Sequence, residues 1–228
     1  TDNIGGITNK GVELLLTLVP VQPSRADGFR AVTTLNLSFN RNEVTELYGN
    51  QPFSTGYYDF NRVAVGHELG EFHAYKFLGV DPATGDAQYE DRNNDGSITT
   101  EDKTFVGSPW PDYTGGLTTT LSWKRFDLTG FFQFSQGGKV FNAMRQFADD
   151  GGYNYDNKFR EVLTRWQNPG DQTNQPRASF DDLSNARFES DRWIEDASYI
   201  RLQDLTLGYQ LPENIAGSLR LAHARVYI

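Results

Sequence analysis

The chain has no cysteine in its 228 residues, which removes any disulfide framework and any cysteine-based zinc site. Histidine is nearly absent too: His67, His73 and His223 are too scattered to form a metal cluster, and each reads as a surface or loop residue. Positive charge is in deficit. Lys and Arg number 21 against 30 Asp and Glu, a formal net charge of −9. Phosphate backbones require concentrated Lys and Arg, so the charge argues against nucleic acid and no nucleic-acid partner is expected. The acid is dispersed, with no acidic tail. No apolar run approaches the roughly eighteen residues of a membrane helix, so a helical membrane protein is excluded. Thr1-Asp2-Asn3 reads as no signal peptide. A membrane β-barrel survives this exclusion, because its strands alternate apolar and polar residues and leave only a weak signature in each segment. No Gly-x-Ser-x-Gly elbow, phosphate loop or dinucleotide fingerprint occurs, so no organic cofactor is expected.

What the sequence does contain is period-two alternation. Phe29, Ala31, Thr33, Leu35, Leu37 and Phe39 fall on one face of a strand, and Arg30, Thr34, Asn36 and Ser38 on the other. The preceding Val12 to Val19 is strand-like, and residues 20 to 28 read as a hairpin connection. A second hairpin is clearer. Leu117, Thr119, Leu121 and Trp123 alternate with polar residues, Lys124-Arg125 turns the chain, and Phe126, Leu128, Gly130, Phe132 and Phe134 continue the pattern. Another strand runs from about Tyr199 to Leu211, and a last one starts near Ala224. Gly5-Gly6, Gly115-Gly116, Gly137-Gly138 and Gly151-Gly152 read as turn or strand-edge glycines.

These strands are expected to run roughly nine to eleven residues, the length a tilted strand needs to cross a bilayer, whereas soluble sandwich strands are nearer five or six. Short connections alternate with two long ones, residues 40–116 and 136–197. Short turns on one side and long loops on the other characterise an outer-membrane barrel. The expected fold is therefore all-β, an incomplete antiparallel transmembrane β-barrel with long extracellular loops, occupying residues 1–228. The alternative is a secreted or surface carbohydrate-binding β-sandwich with a calcium-stabilised loop. The two differ in where Leu35, Leu37, Leu121, Phe132, Leu205 and Leu207 go: outward as an apolar band, or buried between two sheets.

The chemistry concentrates in the long loops. Residues 91–102, DRNNDGSITTED, place Asp91, Asn93 and Asp95 at positions 1, 3 and 5 of a calcium-loop pattern, with Gly96 at the turn. Ser97 would offer its carbonyl, Thr99 would hold a bridging water, and Asp102 closes the set. The final Asp resembles dockerin loops more than helix–loop–helix sensors, and the turn-rich flanks Val80 to Asp86 and Gly107 to Pro111 forbid paired helices. Two readings stand: a structural Ca2+ site on which Asp91, Asn93, Asp95 and Asp102 converge with Ile98 anchored inward, or an Asn-Asp-Gly turn with solvated carboxylates. The carboxylate pairs Asp149-Asp150, Asp181-Asp182 and Glu195-Asp196 are of the residue type that serves glycoside hydrolysis, but in acid-rich loops they read as solvated charge and no enzyme is expected. Trp123, Phe126 and Tyr209 sit at strand ends and read as an interfacial girdle. Trp110, Trp166 and Trp193, in the loops, are the candidate substrate contacts.

Seven short stretches, in order, resemble the C-terminal part of SusC/RagA-like TonB-dependent outer-membrane transporters. They are NKGVE at 9–13, LNLSFNRNEV at 35–44, GEFHAYK at 70–76, the 91–102 loop, GSPWPD at 107–112, RFDL at 125–128 and DASYIRLQDLTLGY at 196–209. The resemblance implies a plugged barrel of roughly 22 strands, of which this chain would be about the last quarter. It also implies localisation in the cell outer membrane and contact with outer-membrane lipid. Import of oligosaccharide or peptide, a SusD-like substrate-binding lipoprotein partner, and TonB acting through an N-terminal part outside this sequence complete the expectation. With residues 20–28 and 124–125 as periplasmic turns, the 91–102 loop is extracellular, where free calcium suffices for a weak site.

Overall fold

The computed structural model describes residues 5–25, 27–153, 155–181 and 183–228. Thr1-Asp2-Asn3, Ala26 of the first connection and Asp182 of the second carboxylate pair lie outside the described residues. Six strands form the principal sheet, hydrogen-bonded in chain order: β1 (Gly5–Val21), β2 (Arg30–Leu47), β3 (Pro111–Trp123), β4 (Phe126–Gly137), β5 (Tyr199–Gln210) and β6 (Arg225–Tyr227). The β2–β3, β3–β4, β4–β5 and β5–β6 pairings are antiparallel. The turn falls at Lys124-Arg125, as the change of phase in the alternation predicts, with Trp123 opposite Phe126. Lys124 adopts a left-handed φ of 54° to make it.

The strands outrun their expected length: β1 has 17 residues and β2 has 18. In β2 the polar run Asn40 to Glu43 hides a continuation whose apolar contacts come from elsewhere in the chain, since Val44 and Leu47 bury against Val63. Gly115 and Gly116 are not at a turn but inside β3, where they make room for rings from β4. A Cβ at Gly115 would stand 2.6 Å from the Phe134 ring, and one at Gly116 2.8 Å from the Phe131 ring.

By contacts the chain divides into two compact units. The first, Asn9–Arg41, Pro111–Gly137 and Ser198–Ile228, holds the sheet. Its register aligns the apolar residues of neighbouring strands on one face: Ala31 with Leu121, Leu35 with Leu117, Leu121 with Leu128, Leu117 with Phe132, Leu128 with Leu207. A bulge at Gln203 keeps Ile200 and Leu202 on that face with Leu205 and Leu207, pairing them to Phe134, Phe132, Gly130 and Leu128. The opposite face is polar and internally bonded, with Thr17 to Thr34 at 3.2 Å and Thr120 to Thr129 at 3.1 Å. Among the described residues of this unit no second sheet covers the apolar face: Phe132 is 41% exposed, Leu205 59% and Leu207 48%. A sandwich would have buried these side chains, so the β-sandwich alternative is set aside. Ser38, Thr114, Ser135 and Tyr199 are linked by register at one end of the sheet. Both long excursions depart from that end, while the 22–29 and 124–125 connections are at the other.

The second unit, Asn42–Trp110 and Gly138–Ala197 with the first residues up to Thr8, is built of short strands and turns. Phe53–Thr55, Asn61–Val63, Phe72–Ala74 and Thr104–Gly107 form a four-stranded sheet; Phe77–Val80 pairs with Ala87–Tyr89, and Lys139–Phe141 with Ile194–Asp196. One core gathers Phe60, Ala74 and Trp193, with Val106, Phe141 and Ile194 packed on it. Phe60 stacks on Phe141 at 4.1 Å. Fully burying an aromatic of this kind contributes roughly 1.5–3 kcal/mol, which is how strands of three residues hold their places. A second core gathers Tyr75, Ala87 and Tyr89, and Ile98 packs against it as the sequence suggested. Among the described residues no helix is long and apolar enough to cross a membrane, which leaves strand-crossing untouched.

Candidate functional site

The 91–102 loop closes on itself through side-chain to backbone hydrogen bonds. Asp91 Oδ2 accepts from Gly96 N at 2.9 Å, Asn93 Oδ1 from Asp95 N at 3.0 Å, and Asp95 Oδ1 from Ser97 N at 2.8 Å. Gly96 takes φ 83°, the left-handed turn the motif demands. Thr99 caps a short turn, Thr100–Asp102, as part of a capping box with Asp102. Asp102 is fully buried and spends both oxygens on the loop, accepting from Arg92 N at 2.8 Å on Oδ1 and from Thr99 N at 2.8 Å on Oδ2. Those N–H groups, Thr99 foremost, hold its carboxyl below the usual carboxylate range despite burial. Among the described residues no three His, Cys, Asp or Glu side chains form a metal-holding group. Asp102 is turned inward as a backbone staple, while Asp91 and Asp95 accept from the backbone of the loop's turn.

Of the three loop tryptophans, Trp193 departs from expectation. Trp193 is fully buried in the core, its Nε1 donating to Phe188 O at 2.9 Å, so it cannot touch a substrate. Trp110 donates to Leu69 O at 2.8 Å, and Trp166 to Pro82 O at 3.0 Å while packing over Gly85. Each indole pins its loop to another segment.

The carboxylate pairs also differ from expectation, because Asp149 and Asp150 are buried rather than solvated. Asn142 caps the helix α1 (Ala143–Ala148), its Oδ1 accepting from Arg145 N, which fixes Arg145 four residues before Asp149. Arg145 Nε then meets Asp149 Oδ2 at 3.1 Å, and its Nη1 meets Glu195 Oε1 at 3.2 Å. Lys158 Nζ closes on Asp150 Oδ1 at 2.6 Å. Buried Arg192 bonds Gln175 Oε1 and Ala186 O and lies over the Trp193 and Phe77 rings. Asp149 and Asp150 thus each face a base, the ordinary condition for retaining charge inside a protein. Sequence reading missed this cluster, since only the Arg145–Asp149 pair is close enough along the chain to leave a signal.

Two histidines flank one ring. His67 stacks on Phe105 at 3.6 Å and bonds Glu71 Oε2 at 3.0 Å, while His73 meets the same ring edge-on at 5.2 Å. Burial, with Arg62, Lys103, Arg92 and His67 adding positive charge, lowers the His73 pKa to about 4. His223 is exposed, as expected of a surface residue.

No family model matches the chain. The TonB-dependent receptor P26 of Formosa agariphila is 34% identical over 250 aligned residues, covering 99% of this chain and 24% of the relative. The TonB-dependent receptor SusC of Bacteroides thetaiotaomicron is 25% identical, covering 92% of this chain and 21% of the relative. Among solved structures, the RagAB peptide transporter superposes with a TM-score of 0.83 at 25% identity, over 99% of this chain and 25% of that one. Its alternation, antiparallel sheet and long excursions are thus those of a barrel portion, and the chain belongs to the SusC/RagA-like TonB-dependent receptors, spanning about a quarter of the length of the relatives it matches.

Proposed function

We propose that this chain is a piece of the wall of an outer-membrane transporter that imports oligosaccharide or peptide, energised through TonB and working with a SusD-like substrate-binding lipoprotein. The observation that carries this reading is the apolar face shared by β2 to β5, exposed on one side of a sheet whose other side is lined by Thr, Ser, Asn and Gln. In water such a face is a liability, and in lipid it is the requirement. Trp123, Phe126 and Tyr209 cluster where the hairpin turns, Phe126 and Tyr209 at 4.7 Å, and they serve as the interfacial girdle at the periplasmic side. Residues 40–116 and 136–197 carry the extracellular excursions, because short turns face the periplasm in such barrels.

The SusC relative and the structure named as a peptide transporter support import as the activity and leave the two substrate classes side by side. Their names describe receptors and transporters, in keeping with a non-catalytic role. For the 91–102 loop we propose a structural role, with Ca2+ held by the carboxylates of Asp91 and Asp95, the Asn93 amide and the Ser97 carbonyl, and Thr99 bridging through water. Calorimetric titration of the full-length receptor tests this part alone: no heat at millimolar calcium reduces the loop to its hydrogen-bonded turn.

The transport reading is tested by expressing the full-length receptor with a SusD-like lipoprotein and following labelled oligosaccharides and peptides into cells with and without TonB. Outer-membrane residence with TonB-dependent uptake is expected. A receptor recovered in a soluble fraction, or uptake indifferent to TonB, would contradict the reading.

A further inference from the structure

A cleft in the second unit is lined by Phe77, Leu78, Gly79, Arg145, Asn174 and Arg192. Four separate stretches bring these residues together, and the two charged side chains among them are both guanidinium groups. Arg192 is fixed from behind by Gln175, Ala186 and the Trp193 and Phe77 rings. Arg145 is oriented through Nε by Asp149 and through Nη1 by Glu195, which leaves its Nη2 edge without an acceptor among the described residues. Asn174 is exposed on the rim, and Leu78 beside it is 58% exposed.

We infer that the Arg145–Asn174–Arg192 cleft is a subsite for the terminal carboxylate of a peptide. A planar guanidinium held by its own ion pairs presents its remaining N–H edge in a fixed direction, the geometry that suits a carboxylate. The Asn174 amide adds a second donor, and Phe77, Leu78 and Gly79 offer an apolar wall where the last side chain of the peptide lies. That wall favours a peptide end over an acidic sugar, whose carboxylate carries no apolar side chain beside it. The inference rests on the transport reading, because it gives the excursions a cargo to select.

The test uses the full-length receptor in detergent, after its outer-membrane residence has been established separately so that failure of the transport reading is seen on its own. Binding of Ala-Ala-Leu is compared with its C-terminal amide and with digalacturonate by calorimetry. The free acid should bind about ten-fold tighter than the amide, the scale of one charge-assisted hydrogen-bond pair. Asn174→Asp, an exposed change that sets a repelling carboxylate on the rim, should abolish that preference. Arg145→Lys, which keeps the charge and loses the fork, should weaken it several-fold. Equal binding of acid and amide, or an unchanged preference in Asn174→Asp, would overturn the subsite. Tighter binding of digalacturonate than of the peptide would overturn the peptide assignment.

Discussion

Arg225 reaches over Gly208 to Asp127, joining β6 to β4 across the strand that separates them. Its Nε meets Asp127 Oδ1 at 3.0 Å and its Nη2 meets Oδ2 at 2.5 Å, a two-pronged pair on the polar face of the sheet. A Cβ at position 208 would land on the guanidinium and on the carboxylate, so glycine is what lets the pair cross. Asp127→Ala should destabilise the C-terminal strand by roughly 0.2–1 kcal/mol, since both groups are partly solvated. Gly208→Ala should cost more, because both partners must move. Heat-modifiability of the full-length receptor on gels reads both effects, and the swap Asp127→Arg with Arg225→Asp should restore most of the loss.

Acid should open the 91–102 loop only well below neutrality. The folded carboxyl of Asp102 titrates below its ordinary value of 3.8, so its contribution is complete above that value and is lost as pH falls through the lower folded one. Exchange of the Arg92 and Thr99 amide protons, corrected for the intrinsic rate, should be flat from pH 7 to about 4 and rise below it. Asp102→Asn should raise exchange at neutral pH and remove the acid step.

His73 sets a second, milder dependence. Its folded pKa of about 4 lies below the ordinary 6.5, so the unfolded chain takes up the proton first. Stability is complete above pH 6.5 and declines as pH falls toward 4. His73→Gln should flatten thermal unfolding of the receptor's loop region across that window. An unchanged slope would mean that the histidine is not screened from solvent as its surroundings imply.

The sheet was legible because a half-exposed strand writes its two faces into the sequence: Leu205, Leu207 and Tyr209 alternate visibly, and Trp123-Lys-Arg-Phe126 shows a hairpin. The phase of Ile200 and Leu202 was not, since the bulge at Gln203 shifts parity and only pairing with β4 reveals that all four aliphatic residues share a face. Nor was the end of β2, where burial of Val44 depends on Val63. The loops were the least legible. Asp149 and Asp150 look like solvated acid until Arg145 and Lys158 are brought to them, and Trp193 looks like a binding residue until Phe60 and Ala74 enclose it. For Asp150 and Trp193 the deciding partner lies beyond the reach of local sequence spacing.

These 228 residues hold no cysteine, so single cysteines placed among them address the central claim directly. Leu128, Leu205 and Leu207 on one face, and Thr129, Thr206 and Gln133 on the other, would each be replaced in the full-length receptor and probed in intact outer membranes. The account predicts that cysteines at 128, 205 and 207 resist a water-soluble maleimide and react with a lipid-borne thiol reagent, while those at 129, 133 and 206 do the reverse. Equal labelling of the two faces by the water-soluble reagent, or labelling with the faces exchanged, would contradict a lipid-facing apolar sheet.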